Sequence, residues 1–181
     1  MNLVVGFAPF ILFTLLSRLS VDLALWVAFA AAFVVTIRDF VESPSLRLLD
    51  VGSFVLFALL ALGRGFLDPN LSLALVRFIA ALSLFLLLGL PLALKRPFSV
   101  DYARLDPREA GLPPHVFLQV NVLVSAAWTC AFALMAAADG VVAFNGELPL
   151  YGSIAVSVIA LAAAVTFTLR YPALAAKRLN R

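Results

Sequence analysis

The sequence predicts an all-α fold, a polytopic transmembrane helical bundle of about six helices forming one domain over residues 1–181. Three observations carry that prediction. First, 64% of the residues are hydrophobic, only 13% are charged, and the mean hydropathy is +1.09. A water-soluble domain is about 45–50% apolar and about 25% charged, so this chain lacks the polar surface to cover a globule in water. Second, the apolar residues gather into six runs. Third, Lys and Arg concentrate in alternate connections between those runs. A cytosolic enzyme, a disordered chain and a disulfide-stapled secreted module are excluded together. The single cysteine, Cys130, lies inside an apolar run and has no internal partner.

A span needs about 20 apolar residues to cross roughly 30 Å of hydrocarbon. The runs are Leu3–Ser17, Val21–Ile37, Val51–Leu67 (with Val51–Gly63 as its core), Leu71–Leu94, Val116–Ala138 and Leu148–Leu169. None alternates with period two, which disfavours a barrel. Backbone groups in lipid must then be satisfied inside helices. The first run has 15 residues, about 22 Å of helix, and contains Pro9. It is read as a thin span. The alternative is a half-inserted segment, giving five spans plus a short N-terminal half-helix. Met1-Asn2 carries no basic residue and no small-residue cleavage site follows, so the run is expected to be retained rather than removed as a signal.

Basic residues fix the expected orientation. Arg38 and Arg47 lie between runs two and three. Lys95, Arg96, Arg104 and Arg108 lie in the loop 95–115, and Arg170, Lys177, Arg178 and Arg181 follow the last run. The opposite side holds Arg18 and Arg64, a ratio of ten to two. Positive residues favour the cytoplasmic side, so both termini and the loop 95–115 are expected there.

Local signals place the boundaries. Ser20 can cap the second helix. Asp68-Pro69-Asn70 breaks the chain before the fourth. Asp139-Gly140 and Asn145-Gly146 are read as bracketing a loop after the fifth. Asp106-Pro107-Arg108-Glu109 has the pattern of a cap, a first-turn proline and an N3 acid, and Ala110 to Pro114 then stops that turn. A weak repeat relates the first two hairpins. Val5-Gly6, Leu16, Arg18 and Asp22 recur at an offset of 46 as Val51-Gly52, Leu62, Arg64 and Asp68. Either chance in Leu/Ala-rich sequence or a parallel duplication of the kind found in some transporters accounts for it.

Arg77 is the most informative residue. It lies two turns into the fourth run, roughly 9 Å past Leu71, and a charge within the bilayer is costly enough to mark a candidate site. Asp22 and Asp68 are its expected partners. A structural ion pair or a snorkelling head is the preferred reading, and a ligand or ion pathway the alternative. Arg18, Asp22, Arg64 and Asp68 should gather on the outer side, as helix-end charges among headgroups or, alternatively, around a shallow vestibule. Gln119 and Asn121 near the start of the fifth helix are assigned to helix packing first and to a polar cavity second. Ser125, Thr129 and Cys130, with Ser153, Ser157, Ala160 and Ala164, form small faces suited to close helix contact. Trp26, Tyr151 and Tyr171 sit near helix ends as interface anchors.

Nothing here assembles chemistry. His115 is the only histidine, too little for a zinc site or for a nucleophile, base and orienter. No phosphate-binding or dinucleotide glycine pattern is present. The expectation is no enzyme, no catalytic residue, no cofactor and no metal. The expected partners are the lipid bilayer together with membrane proteins or a second copy of the chain, and no nucleic acid.

Three stretches resemble the intracellular septation protein A family, small inner-membrane proteins of proteobacteria. Phe7-Ala8-Pro9-Phe10 with Phe13, continuing to Arg18 and Asp22, is similar to the family's N-terminal Phe-x-Pro stretch with a following base and acid. Lys95-Arg96-Pro97-Phe98 resembles its basic exit from the fourth helix. Leu112-Pro113, Val116-Phe117 and Asn121 resemble its Leu-Pro entry into the next helix. Residues 99–111 and the Arg64–Asp68 connection depart from the pattern. The resemblance implies residence in the bacterial inner membrane and a non-enzymatic role in cell-envelope maintenance and division through membrane partners. It carries over Pro9 as a kink, Pro97 as a helix exit and Asn121 as an interhelical hydrogen bond. A small-solute or ion transporter or channel using a polar outer vestibule around Arg77 is the second functional expectation. An accessory subunit of a larger membrane complex is the third.

Overall fold

Long apolar runs in lipid can satisfy their N–H and C=O groups only along the chain itself, and the observed secondary structure is accordingly all helix. The computed structural model describes residues 2–42, 47–103, 113–145 and 149–179. Among these, the helices are α1 (Asn2–Gly6), α2 (Ala8–Leu16), α3 (Val21–Glu42), α4 (Leu48–Leu62), α5 (Leu73–Ala93), α6 (Val100–Ala103), α7 (Pro114–Phe144) and α8 (Leu150–Leu179), with no strand. Five segments are long and apolar enough to cross a membrane: Val21–Val41, Leu48–Leu67, Leu73–Ala93, Pro114–Phe144 and Leu150–Ala175. The protein is a multi-pass membrane protein.

The first run differs from a simple span. Pro9 has no N–H to offer the Val5 carbonyl and its ring crowds that turn. The chain therefore breaks at Phe7, whose N–H donates instead to Val4 O at 3.2 Å. Neither α1 nor α2 is long enough to cross alone. Even so, the segment is central, with Phe7, Phe10 and Phe13 all buried. Its two ends also touch opposite ends of the bundle. Gly6 packs on Leu49 and Tyr102, whereas Ser17 meets Arg77. The run is thus a short kinked segment threaded lengthwise between the longer helices.

From that far end, marked by Arg77, α3 returns to the end marked by α6. Then α4 goes out, α5 comes back, α7 goes out and α8 comes back. Ser20 Oγ accepts from Leu23 N at 3.4 Å at the start of α3. Ser72 caps α5 by accepting from Leu75 N at 3.2 Å. A single π-turn, Gly63–Leu67, extends α4 to the length of a span. At the exit of α5, Arg96 N donates to Pro91 O and Lys95 N to Leu92 O. That pair of bonds is a Schellman motif, with Lys95 at φ 59 in the left-handed position usually held by glycine. Pro97 follows, where a helix cannot resume.

The expected end of the fifth apolar helix at Ala138 is corrected: α7 continues to Phe144. Asp139-Gly140 lies inside the helix because Asp139 is drawn into the core by Arg77. The turn expected at Asp106–Glu109 lies outside the described residues.

In lipid there is no hydrophobic force between helices, so fit and polar pinning hold them. α7 lies at the centre, packed against α5 on one side and α8 on the other. Trp128, wholly buried, stacks on Phe7 with centroids 3.6 Å apart and donates from Nε1 to Thr168 Oγ1 on α8 at 2.9 Å. Phe132 packs edge-on against Phe10. Gly89 lets α5 approach Thr129 of α7, since a Cβ there would lie 3.2 Å from the threonine methyl.

Candidate functional site: buried polar clusters at the two ends

Arg77 projects from the second turn of α5 into the packed far end. It is 2% exposed. Its guanidinium is satisfied on all three nitrogens: Nε donates to Asp139 Oδ1 at 3.0 Å, Nη1 to Ser17 Oγ at 3.3 Å and Nη2 to Ser157 Oγ at 2.8 Å. One arginine thus joins α5, α7, α8 and the segment after α2. Each serine also donates backward, Ser17 to Thr14 O and Ser157 to Ser153 O, leaving its lone pairs for Arg77. The expectation that Asp22 or Asp68 pairs with Arg77 is corrected. Asp139, directly after an apolar run and at the same depth, supplies the carboxylate.

The charges expected on the outer side lie apart from that core. Asp22 Oδ1 accepts from Arg64 Nε at 2.6 Å, and Arg64 also donates to Leu71 O. With Asp22 62% exposed, this is a surface pair of the kind that contributes little. Arg18 is exposed. Asp68 accepts from Asn70 N, an Asx turn ahead of α5.

The α6 end holds a second cluster that sequence reasoning missed. Asp39, at the end of α3, accepts from Arg38 and from Arg47, the residue preceding α4. Asp39, Arg47, Asp50 and Tyr102 are all buried. Tyr102 Oη donates to Asp50 Oδ1 at 2.8 Å, and the Arg47 guanidinium lies 4.8 Å from the centroid of the Tyr102 ring, a cation–π contact. Arg47 Nη2 has no hydrogen-bond partner among the described residues. Burial, and secondarily the Asp50 carboxylate, push the Tyr102 phenol above its ordinary range, so it stays protonated and able to donate. The signal for this cluster was present: Arg38-Asp39 interrupts a run that resumes with Phe40-Val41, and Arg47 and Asp50 flank the start of the next helix.

Asn121, 1% exposed, pins the connection after α5 to α7. Its Oδ1 accepts from Ser99 Oγ at 2.7 Å and its Nδ2 donates to Phe117 O at 2.9 Å. Ser125 Oγ donates to Ser99 Oγ at 3.0 Å. Gln119 is exposed on the same helix. Pro9 lies in the first turn of α2, just after the break at Phe7, and Pro97 is buried beside this pin.

No family model, curated protein or solved structure matches the chain.

His115 is exposed, and no metal-binding group of His, Cys, Asp and Glu occurs among the described residues. Apart from both clusters, an open apolar groove of about 630 Å³ follows α8 and a second of about 250 Å³ lies between α7 and α8, with Ala163 and Phe167 lining both.

Proposed function

We propose that this protein is a non-enzymatic structural element of the bacterial inner membrane, serving envelope maintenance or division through contacts with membrane partners. The supporting observation is the state of Arg77. An arginine that binds a solute must present donors to a cavity, whereas each guanidinium nitrogen here already donates to Asp139, Ser17 or Ser157 and the side chain is 2% exposed. A buried arginine engaged in this way acts as a cross-brace between helices. The resemblance to the septation protein A family supplies the cellular role, with Pro9, Pro97 and Asn121 at kink, exit and pin. The ten-to-two distribution of basic residues supplies the orientation, with both termini and the 95–115 loop in the cytoplasm.

Depletion of the protein in its native cell is the test. The proposal expects altered septation or cell length, with purified protein in liposomes moving neither ions nor small solutes. Normal division on depletion would contradict it. Solute flux lost on Arg77→Leu substitution would instead establish the transporter reading.

A further inference from the structure

Two apolar grooves adjoin on α8, with Ala163 and Phe167 lining both. The smaller lies between α7 and α8 and includes Leu134, and the larger follows α8 past Ala163 and Phe167 to Arg170 and Leu174. Small residues make its floor, and Phe167 and Tyr171, stacked with centroids 4.7 Å apart and 14° between planes, make a flat wall. The lining is apolar apart from Thr166 and one charged end. There Arg170 is exposed within the Leu150–Ala175 span, at the same end of the bundle as Arg47 and Lys95. No ion pair or hydrogen bond engages its side chain among the described residues. A cation at the hydrocarbon edge without a protein counter-charge draws one from the headgroups.

We propose that the larger groove is a binding site for an anionic phospholipid, with an acyl chain along Ala163 and Phe167 and the phosphate on Arg170. Shape and charge point to the same occupant. The apolar lining accepts a methylene chain, and its single charge lies where a headgroup would be. A zwitterionic lipid fits the slot equally well but brings its own cation, so the preference is for net negative charge. The inference is independent of the envelope role.

Native mass spectrometry of the full-length protein, released from mixed micelles containing equimolar phosphatidylglycerol and phosphatidylcholine of identical chains, reads the site directly. Retained phosphatidylglycerol should exceed phosphatidylcholine by about five-fold, the scale of one basic residue near an anionic surface. Arg170→Gln should bring the ratio to about one, and Arg170→Lys should retain most of it. Lys95→Gln, an exposed cation at the same end, should leave it unchanged. Ala163→Phe, at an exposed position, should lower retention of both lipids by filling the slot. Excess glycerol phosphate should not compete, because the chain contributes to binding. An unchanged ratio in Arg170→Gln, an equal loss in Lys95→Gln or full competition by glycerol phosphate would each overturn the proposal. Cys130 lines the adjoining smaller groove, so efficient Cys130–Cys130 crosslinking between copies would overturn the proposal in favour of a second copy as occupant, and its absence supports the lipid.

Discussion

Replacing Asp139 by Asn removes the only carboxylate that meets Arg77 among the described residues while preserving shape. Both side chains are 2% exposed and Nε lies 3.0 Å from Oδ1. With an effective dielectric of about 20 and charge centres roughly 4 Å apart, the attraction is about 4 kcal/mol. Breaking a buried pair by removing one partner costs about 3–5 kcal/mol, because the remaining charge is stranded. Arg77→Met should cost a similar amount for the converse reason. The double variant Arg77→Met/Asp139→Leu should return to within about 1 kcal/mol of the parent, since apolar replacement of both partners strands nothing. The serines give the contrast. Ser157 is a neutral acceptor for the guanidinium, a charge-assisted bond worth about 1.5–3 kcal/mol, so Ser157→Ala should cost about 2 kcal/mol, less than loss of the carboxylate. Unfolding followed by circular dichroism across a titration from mild detergent into dodecyl sulfate measures these variants together with the single Asp139→Leu, which closes the cycle. Coupling between the two positions of about 3 kcal/mol or more is expected. Strictly additive losses, or single variants as stable as the parent, would refute the cross-brace.

Three further outcomes follow from the packing. Trp128→Ala empties the centre of α7 and removes both the Phe7 stack and the bond to Thr168, and should cost about 3–5 kcal/mol by the same unfolding assay. Tyr102→Phe leaves Asp50 without its phenol donor and should cost about 1–3 kcal/mol. Because burial raises the folded phenol above its ordinary value of 10.0, the unfolded chain ionises first as pH rises. The Tyr102 share of stability is present below pH 10 and declines above it by about 1.4 kcal/mol per unit. The variant should lack that alkaline decline, and its tyrosinate absorbance at about pH 11 should equal the parent's while both stay folded. A smaller signal in the variant would show that Tyr102 ionises in the fold. Lys95→Gly relieves a left-handed residue at φ 59 and should stabilise by about 1 kcal/mol in thermal unfolding; destabilisation would show that the lysine side chain outweighs the strain.

Hydropathy and charge distribution made the fold class legible, because a bilayer imposes one local solution on long apolar runs. Ser20 was legible for the same local reason, as a short-range cap. Arg77 stood out because a charge in an apolar run is conspicuous, but its partner did not. Asp139 precedes Gly140, and the pair reads locally as a turn. Only three-dimensional packing, with α7 antiparallel to α5, brings that carboxylate level with Arg77 and extends the helix through the glycine. The Asp39–Arg47–Asp50–Tyr102 cluster was hidden differently. Each member sits at a helix boundary, where charges are ordinary. Their burial depends on α6 folding back over the start of α4, a long-range contact with no periodic signature. The first run was ambiguous for a length reason that the structure resolves: a kinked segment too short to be a regular span still passes lengthwise through the core because neighbouring helices cover it.

The most direct test of a bundle threaded through the membrane with its α6 end inward is labelling with a membrane-impermeant maleimide on intact cells. In a Cys130→Ala background, Leu67→Cys at the exposed far-end turn and Asp101→Cys on the exposed side of α6 report the two ends separately. Labelling of the residue-67 variant alone, with the residue-101 variant reacting only after the cells are opened, is the predicted result. Reaction of the residue-101 variant on intact cells would contradict the proposed orientation, and recovery of the protein in the soluble fraction after lysis without detergent would contradict the membrane bundle itself.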